Sequence, residues 1–305
     1  MVISPVDWFA ANRRLYGSVA ECLGMQRPLR SKHMRATKYN TLRVPGACLF
    51  YTVCGAGPVL LMIAAGAGDH TSYTGVAKYL IDHYTVVTYD RRGYWRSPLD
   101  DRNQHITIVT HSDDAHHLLA ALGREGAYVF GSSIGALIGL DLVIHYPEQV
   151  RTLIAHEPPV AQMVSEAKHT PRLLDLYRQQ GAAAALETFA ASIGVRHRTK
   201  VSRLGLPQES IRIAEHNRES FFKHDAGAVG RYRLDIAALQ AAPTRVVLAG
   251  GREGHEYFPY RCAAALAERL GMAVVAFPGG HAGFVDHPGE FAERLRQILG
   301  DEAAK

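Results

Sequence analysis

Cysteine is scarce in this 305-residue chain, and no two cysteines have the C-x-x-C spacing that is typical of metal and redox sites. Four cysteines are also too few to form a disulfide framework in a chain of this length. The scarcity therefore predicts free thiols in a reducing compartment and no bound metal. The four residues are Cys22, Cys48, Cys54 and Cys262.

Long apolar runs are absent as well. No stretch approaches the length that a transmembrane helix requires. At the N-terminus, Asp7 falls where a secretory signal peptide would be continuously apolar. These absences predict a cytoplasmic protein that does not bind a membrane.

The chain has only a small excess of positive charge. Its formal net charge is +5, and charged residues make up 21% of the sequence. Basic residues cluster only between positions 13 and 38, without interleaved aromatic residues or a groove-reading motif. This pattern argues against nucleic acid as a partner and favours a solvated N-terminal arm.

Repeats, low-complexity segments and a dinucleotide-binding motif are also missing. Gly66 and Gly68 form a G-x-G, but no third glycine opens the following helix at the spacing that a dinucleotide requires. The sequence therefore predicts no cofactor. With 47% apolar residues, the chain has the composition of a globular protein and is long enough to bury a substantial core.

Strand and helix patterns alternate from residue 41 onwards. A strand pair at Thr41–Val44 and Cys48–Cys54 precedes the continuous apolar run Val59–Ala64, which is typical of a buried parallel strand. This alternation predicts an α/β fold with a doubly wound, mostly parallel sheet and right-handed crossovers. Further strands are predicted at residues 85–89, 128–130, 152–155, 244–249 and 273–277, and a helix is predicted at residues 72–82.

The alternation stops at residue 160 and resumes after residue 240. The segment between these positions contains helical patterns at residues 171–180, 182–193 and 210–223 but no convincing strand, which predicts a helical cap inserted into the α/β fold. The predicted domains are an N-terminal helical extension at residues 1–40, an α/β core at residues 41–159 and 241–305, and the cap at residues 160–240.

The stretch Gly131-Ser132-Ser133-Ile134-Gly135 fits the G-x-S-x-G pattern with Ser133 at its centre. A β-prone run, Tyr128–Phe130, enters the pattern and a helical apolar repeat leaves it, which is the strand, turn and helix of a nucleophile elbow. The two glycines fit because a side chain at either position would collide with the backbone of so tight a turn. Ser133 is therefore the candidate nucleophile.

Further motifs occur in the order that the α/β-hydrolase family uses. The segment Asp90-Arg91-Arg92-Gly93 follows one strand and Gly280-His281 follows the last, and with the elbow they resemble this family over residues 41–300. The resemblance implies the chain order serine, acid, histidine, with Ser133 as nucleophile and His281 as general base. Three other histidines are rival bases: His70, His255 and His287.

Two glutamates remain open as the acid that orients His281. Glu253 follows the strand where most hydrolases of this fold carry their acid, whereas Glu157 follows the strand after the elbow helix. The segment from Ser133 to His156-Glu157-Pro158-Pro159 is similar to the family branch that contains zearalenone lactonases, and the prolines stiffen the backbone beside Glu157. We favour Glu157 and keep Glu253 as the alternative acid.

The resemblance also implies an oxyanion hole made of backbone N–H groups. These are Ile134, directly after the nucleophile, and Gly66 in the glycine turn after the first central strand, with Ala67 as the next candidate. The turn lacks the HGGG motif of lipases, which argues against lipase activity. The related epoxide hydrolases carry an aspartate at the nucleophile position, so Ser133 favours acyl chemistry.

The resulting first hypothesis is a cofactor-independent serine hydrolase that cleaves a carboxylic ester or a lactone. A ligand-sensing receptor of the same fold and a carbon–carbon bond hydrolase are the alternatives. The substrate is expected to be an apolar small molecule, and the sequence leaves a homo-oligomer open. Five aromatic residues of the cap line a cavity or pack the cap's own core: Tyr177, Phe189, Phe221, Phe222 and Tyr232.

Overall fold

The computed structural model describes residues 37–123, 126–164, 169–195 and 207–300. The predicted N-terminal extension lies outside these residues except for positions 37–40, and positions 165–168 and 196–206 of the predicted cap lie outside them too. Within the described ranges, no helix is both long enough and apolar enough to cross a membrane.

One eight-stranded sheet forms the centre of the described chain. Its strands are β1 (Lys38–Val44), β2 (Ala47–Gly55), β3 (Val59–Ile63), β4 (Thr85–Tyr89), β5 (Ala127–Ser132), β6 (Val150–His156), β7 (Arg245–Gly251) and β8 (Val275–Phe277). Their spatial order is β1-β2-β4-β3-β5-β6-β7-β8. The sheet therefore contains all the predicted strands, with ends that differ from the prediction by up to three residues.

The strand directions bring many strand ends to one edge of the sheet. Strands β1 and β2 form an antiparallel hairpin and β2 is also antiparallel to β4, whereas all remaining neighbours are parallel. The predicted α/β fold with a mostly parallel sheet is thus confirmed. Loops that follow β3 to β8 start at the same edge, where open α/β sheets place their sites.

The side chains of β3 alternate between two buried layers. Val59, Leu61 and Ile63 pack in one hydrophobic cluster, and Leu60 and Met62 pack in the other. Both clusters are closed by helices, so the strand is buried on both faces and reads as a continuous apolar run. This double burial explains why the central strands were recognisable from the sequence.

The helices of the core are α1 (Thr74–Ala77), α2 (Ile108–Ala121), α3 (Ile134–His145), α8 (Phe258–Leu270), α9 (Gly283–Asp286) and α10 (Pro288–Gly300). Those between β6 and β7 are α4 (His169–Ser192), α5 (Gln208–Ser220), α6 (Ala226–Arg231) and α7 (Ile236–Ala241). A π-helical turn, Phe221–Asp225, joins α5 to α6. The sequence predicted a helix over residues 72–82, but only α1 and a preceding 3₁₀ turn form there.

We call residues 160–240 the cap; in its described part the sheet gains no strand. Gly181 has a φ of 82° and breaks α4, as the separate predicted helices at 171–180 and 182–193 anticipated. The break folds the two halves of α4 around the π-helical turn. The resulting apolar cluster contains Leu173, Ala182, Ala185, Phe221, Phe222 and Ala226.

The aromatic residues of the cap mostly pack against one another. Tyr177 stacks on Phe222 with ring centroids 5.1 Å apart, and Phe189 lies 5.9 Å from Phe221. Tyr232 instead donates a hydrogen bond from its hydroxyl to Asp141 at 2.8 Å. The first four rings therefore stabilise the cap, and that of Phe221 also approaches the turn that contains Gly66.

Candidate active site

Ser133 lies at the sharp turn between β5 and α3, as the elbow pattern predicts. Its φ of 56° is in a region that side chains rarely adopt. A Cβ at Gly131 would lie 2.2 Å from the Gly135 carbonyl oxygen, and one at Gly135 would lie 2.2 Å from the Ile63 carbonyl oxygen. Only glycine fits at these two positions, so the sequence pattern has a direct steric cause.

Backbone hydrogen bonds fix the elbow on both sides. The Ser133 N–H donates to the His156 carbonyl at 2.9 Å, and the Ser133 carbonyl accepts from the Ala136 N–H at 2.9 Å. Ile134 is the first residue of α3, so its N–H has no acceptor within the helix. Such an N–H, next to the serine, is suited to receive negative charge that develops on a reacting carbonyl.

Glu157 directly follows β6 and is completely buried. Its Oε2 lies 2.5 Å from Nδ1 of His281, and its Oε1 accepts the Gly251 N–H at 2.8 Å. Its own N–H donates to the Ala249 carbonyl at 2.8 Å, which ties the residue to β7. The carboxylate is thus held between two elements and orients one nitrogen of the imidazole.

The surroundings of Glu157 keep its carboxyl group ionised. Burial raises its pKa, but the hydrogen bond and the charge of His281, the charge of His156 and the Gly251 N–H together lower it, and the net pKa lies below the ordinary value. An ionised carboxylate can accept a hydrogen bond from the Nδ1–H group and stabilise an imidazolium. The site therefore has the electrostatics that a general-base histidine requires.

Backbone strain coincides with these two predicted residues. In the described chain, Ser133 and Glu157 are the non-glycine residues with positive φ, at 56° and 50°. Such conformations cost on the order of 1–3 kcal/mol each and persist where the surrounding structure enforces them. Strained positions of this kind cluster at functional sites, so the strain favours a functional role for both residues.

The alternative acid, Glu253, lies elsewhere. Its side chain is exposed, and its backbone N–H donates to the Gly279 carbonyl at 3.0 Å, which supports the loop that carries His281. Among the rival bases, Nδ1 of His70 lies 2.6 Å from Oδ1 of Asp90, and His255 is exposed beside the Tyr260 ring. The structure brings His281 to Glu157, and the catalytic role of Glu157 stays a prediction.

The predicted oxyanion turn lies between β3 and the cap. The Gly68 N–H donates to the Ala65 carbonyl at 2.9 Å, and the Phe221 ring approaches Gly66 from the cap. The guanidinium of Arg91 donates to the carbonyls of Ala64 and Gly66. Sequence reasoning missed Arg91 as part of this site, although its position after β4 at the same sheet edge was an available signal.

Three groups beside the turn have donor atoms within 4.8 Å of one another: Asp69, His70 and Asp90. A metal ion could be held by such a set, but Arg96 extends its guanidinium to 3.7 Å from Asp90 and 4.0 Å from Asp69. This guanidinium supplies positive charge where a cation would bind. The donor set therefore fits a charged hydrogen-bond network better than a metal site.

His156 is a second buried histidine at the site, which sequence reasoning did not single out. Its Nδ1 lies 3.3 Å from the Ser132 hydroxyl, and its ring packs against Phe277 and Phe291. Burial lowers its pKa from 6.5 to about 4, despite the nearby charge of Glu157. At neutral pH this ring is therefore uncharged, and its low pKa makes it a poor proton acceptor compared with a histidine that titrates near neutral pH.

We predict that His156 makes the fold sensitive to acid. The unfolded chain binds a proton at His156 near pH 6.5, and the folded chain binds it only near pH 4. The contribution of the neutral ring to the free energy of unfolding is therefore complete above pH 6.5 and is lost as the pH falls to 4. The shift corresponds to about 3 kcal/mol of unfolding free energy. Urea unfolding of the wild type and of His156→Gln between pH 4 and 7.5 measures this. Equal pH slopes for the two proteins would contradict it.

Comparisons with known proteins agree with this architecture. A family model described as the alpha/beta hydrolase fold matches residues 58–288. The chain is 41% identical over 276 residues to the uncharacterized hydrolase YraK of Bacillus subtilis (strain 168), and this match covers 86% of the chain and 96% of that protein. The match covers most of both chains, so the likeness is not restricted to the elbow.

Solved structures are similar in fold. The enol-lactonase from Burkholderia xenovorans LB400 has a TM-score of 0.67 at 17% identity, covering 86% of this chain and 100% of that one. A thermophilic esterase from Thermogutta terrifontis has a TM-score of 0.67 at 20% identity, covering 88% and 99%. At identities this low, the likeness shows a shared fold.

Proposed function

Since this chain belongs to the α/β-hydrolase fold family, we propose that it is a serine hydrolase that cleaves a carboxylic ester or a lactone through an acyl-enzyme on Ser133. The observation that carries the proposal is the contact of 2.5 Å between the buried Glu157 carboxylate and Nδ1 of His281, at the sheet edge that also carries the elbow. No step of the proposed reaction requires a cofactor.

The proposed reaction uses the three residues in sequence. His281 removes the hydroxyl proton of Ser133 through Nε2 while Ser133 attacks the substrate carbonyl, and Glu157 stabilises the imidazolium. The N–H groups of Ile134 and of Gly66 or Ala67 bind the oxyanion. His281 then gives its proton to the leaving alcohol oxygen, and a water molecule, activated by the same base, releases the acid and restores Ser133.

A serine at the elbow favours acyl chemistry over epoxide opening, because a serine ester intermediate requires a carbonyl substrate. Names among similar proteins support this choice, since an enol-lactonase and an esterase share the fold. The similarity of the His156-Glu157-Pro158-Pro159 segment to zearalenone lactonases adds the lactone to the proposed substrate class. Carbon–carbon bond hydrolysis and ligand sensing remain as outcomes of the test.

The contacts of the oxyanion turn support an apolar substrate. Ala67 packs against the apolar cluster of the cap, and the Phe221 ring lies over Gly66. Ser133 and His281 are each only 6% exposed. A substrate that reaches Ser133 therefore leaves water and contacts apolar side chains. Burial of apolar surface is favourable, so these contacts favour an ester with an apolar acyl or alcohol part.

The covalent intermediate provides the test. We expect a rapid burst of p-nitrophenol from p-nitrophenyl esters, and an increase in protein mass equal to one acyl group on the peptide that contains Ser133. A panel of lactones and a vinylogous 1,5-diketone, compared at equal concentration, separates ester from carbon–carbon cleavage. Tight binding of ligands without any turnover would contradict the proposal and favour a sensor.

A further inference from the structure

A buried polar cluster connects the cap to the oxyanion turn. Its members, Arg91, Tyr94, His111 and Asp225, are each at most 1% exposed, and none of them belongs to the proposed triad. We call these four residues the Arg91 cluster. Arg91 and Tyr94 follow β4, His111 lies on α2, and Asp225 ends the π-helical turn of the cap. Three separate parts of the chain therefore meet at one buried ion pair, between Arg91 and Asp225.

Arg91 holds two carbonyl groups of the oxyanion turn. Its Nη1 donates to the Ala64 carbonyl at 2.6 Å, and its Nη2 donates to the Gly66 carbonyl. The Tyr94 hydroxyl accepts from Nη2 at 2.5 Å and lies 2.8 Å from the Gly66 carbonyl. A planar guanidinium can bridge two carbonyls in this way because its donors have a fixed geometry.

These contacts determine where the N–H groups of the turn point. A peptide unit is planar and trans, so a fixed carbonyl fixes the N–H of the next residue in the opposite direction. Holding the Ala64 and Gly66 carbonyls thus orients the Ala65 and Ala67 N–H groups. The peptide unit between Ala65 and Gly66 is fixed by the hydrogen bond from the Gly68 N–H to the Ala65 carbonyl, and this bond orients the Gly66 N–H. Both candidate oxyanion donors are therefore set by these bonds.

Asp225 of the cap compensates the charge of Arg91. Its Oδ2 accepts from Nε of Arg91 at 3.1 Å and lies 2.8 Å from the Tyr94 hydroxyl, and its Oδ1 lies 2.9 Å from Nε2 of His111. Burial raises the pKa of Asp225, but Arg91 and His111 more than offset this and lower it below the ordinary value. The carboxylate stays ionised, and without it Arg91 would be a buried charge with no counterion.

We propose that Arg91 is a positioning residue for the oxyanion hole, and that Asp225 holds Arg91 in place so that the hole is complete only when the cap is docked. The inference rests on the proposed function, because it assigns the turn at Ala64–Gly68 to oxyanion binding. It differs from a purely structural role in one respect: loss of the Arg91 contacts affects the transition state more than the bound substrate.

The chain provides a matched control one residue away. Arg92 forms a buried ion pair with Asp114, with Nε 2.7 Å from Oδ2 and Nη2 2.5 Å from Oδ1. Its further contact is the Pro45 carbonyl at 3.2 Å, and no bond between Arg92 and the oxyanion turn occurs in the described chain. Replacing Asp114 leaves a similarly buried arginine without its counterion but does not touch the turn.

The test compares Arg91→Lys with Arg92→Lys, and Asp225→Asn with Asp114→Asn, on a p-nitrophenyl ester. We expect the variants of the Arg91 cluster to lose about 10- to 100-fold in kcat with KM changed by less than about 3-fold. The two control variants are expected to keep kcat within about 3-fold of the wild type, even where thermal unfolding shows a similar loss of stability.

A trifluoromethyl ketone gives a readout that stability does not affect. It forms a tetrahedral oxyanion on Ser133, so its inhibition constant is expected to rise in proportion to the loss of kcat/KM in the Arg91 and Asp225 variants. Tyr94→Phe removes one hydroxyl without changing charge, and serves if Arg91→Lys does not fold. We expect it to lower kcat by about 3- to 10-fold.

The outcomes separate the two levels of the proposal. Turnover that survives Ser133→Ala would overturn the proposed function and this inference with it. Turnover that requires Ser133, but falls no more in Arg91→Lys, Asp225→Asn and Tyr94→Phe than in the Arg92 and Asp114 controls, would overturn this inference alone.

Discussion

Replacing Ser133 by alanine is expected to lower kcat for an ester substrate by about 10⁴-fold or more, equivalent to at least about 5 kcal/mol of transition-state stabilisation. Alanine removes the only oxygen that forms the acyl bond. It leaves the elbow intact, because the turn depends on Gly131 and Gly135. Steady-state kinetics on a p-nitrophenyl ester, with circular dichroism to show retained folding, measure the effect.

His281→Ala is expected to show a loss of similar size, and the double variant is expected to lose hardly more than either single one. Residues that act as one unit are not additive, because each step needs both the nucleophile and its base. Activity above about one tenth of the wild type in either single variant would contradict the roles proposed for the pair.

Glu157→Gln is expected to lower kcat by several orders of magnitude, about 10⁴-fold by analogy with acid-to-amide changes in other triads. The amide cannot stabilise an imidazolium. Its NH₂ group also favours the ring tautomer that carries no proton on Nδ1, the nitrogen that now faces Glu157 at 2.5 Å. The histidine would then present a protonated Nε2 to Ser133 and would not act as a base.

Glu253→Gln is the matched variant for this prediction. Its side chain is exposed and its backbone N–H makes the contact with the histidine loop, so kcat is expected to stay within about 2-fold of the wild type. A near-normal kcat in Glu157→Gln, or a large loss in Glu253→Gln, would transfer the acid role to Glu253. Both variants are assayed on the same ester across pH 6 to 9.

The elbow was predictable because its determinants are local. Gly131 and Gly135 lie within two residues of Ser133, and the strand and the helix that flank them are both strongly apolar. The central strands were predictable for a similar reason, since burial on both faces leaves β3 apolar throughout and β4 without a charged residue. Sequence reasoning works best where one short segment contains the whole physical cause.

The choice between Glu157 and Glu253 was not decided by the sequence, because both follow strands that end at one edge. What distinguishes their surroundings is the path of the loops: the Gly251 N–H and His281 converge on Glu157, and Glu253 lies outside this convergence. Contacts between such distant segments leave no periodic signal. They appear only when the topology is known.

The Arg91 cluster was not predicted from the sequence either, because its contacts also join distant segments of the chain. Arg91 and Asp225 are 134 positions apart, and each looks like an ordinary surface charge in its own segment. A buried arginine among two carbonyls, a tyrosine and an aspartate is recognisable only from three-dimensional contacts. The sequence showed the Asp90-Arg91-Arg92-Gly93 turn as a family feature but gave no role to its first arginine.

The π-helical turn at Phe221–Asp225 adds a residue to the turn it occupies, so the helical positions before and after it differ in phase by about 100°. One side of this continuous helix meets the core through Asn217 at the Trp95 N–H, and the next stretch meets it through Asp225. A loop would absorb a change of one residue in length. In this helix the same change rotates all the helical positions that follow it about the helix axis. Two relatives that differ by a single residue in this helix would therefore present different side chains to the core, even if their sequences matched on both sides of the difference.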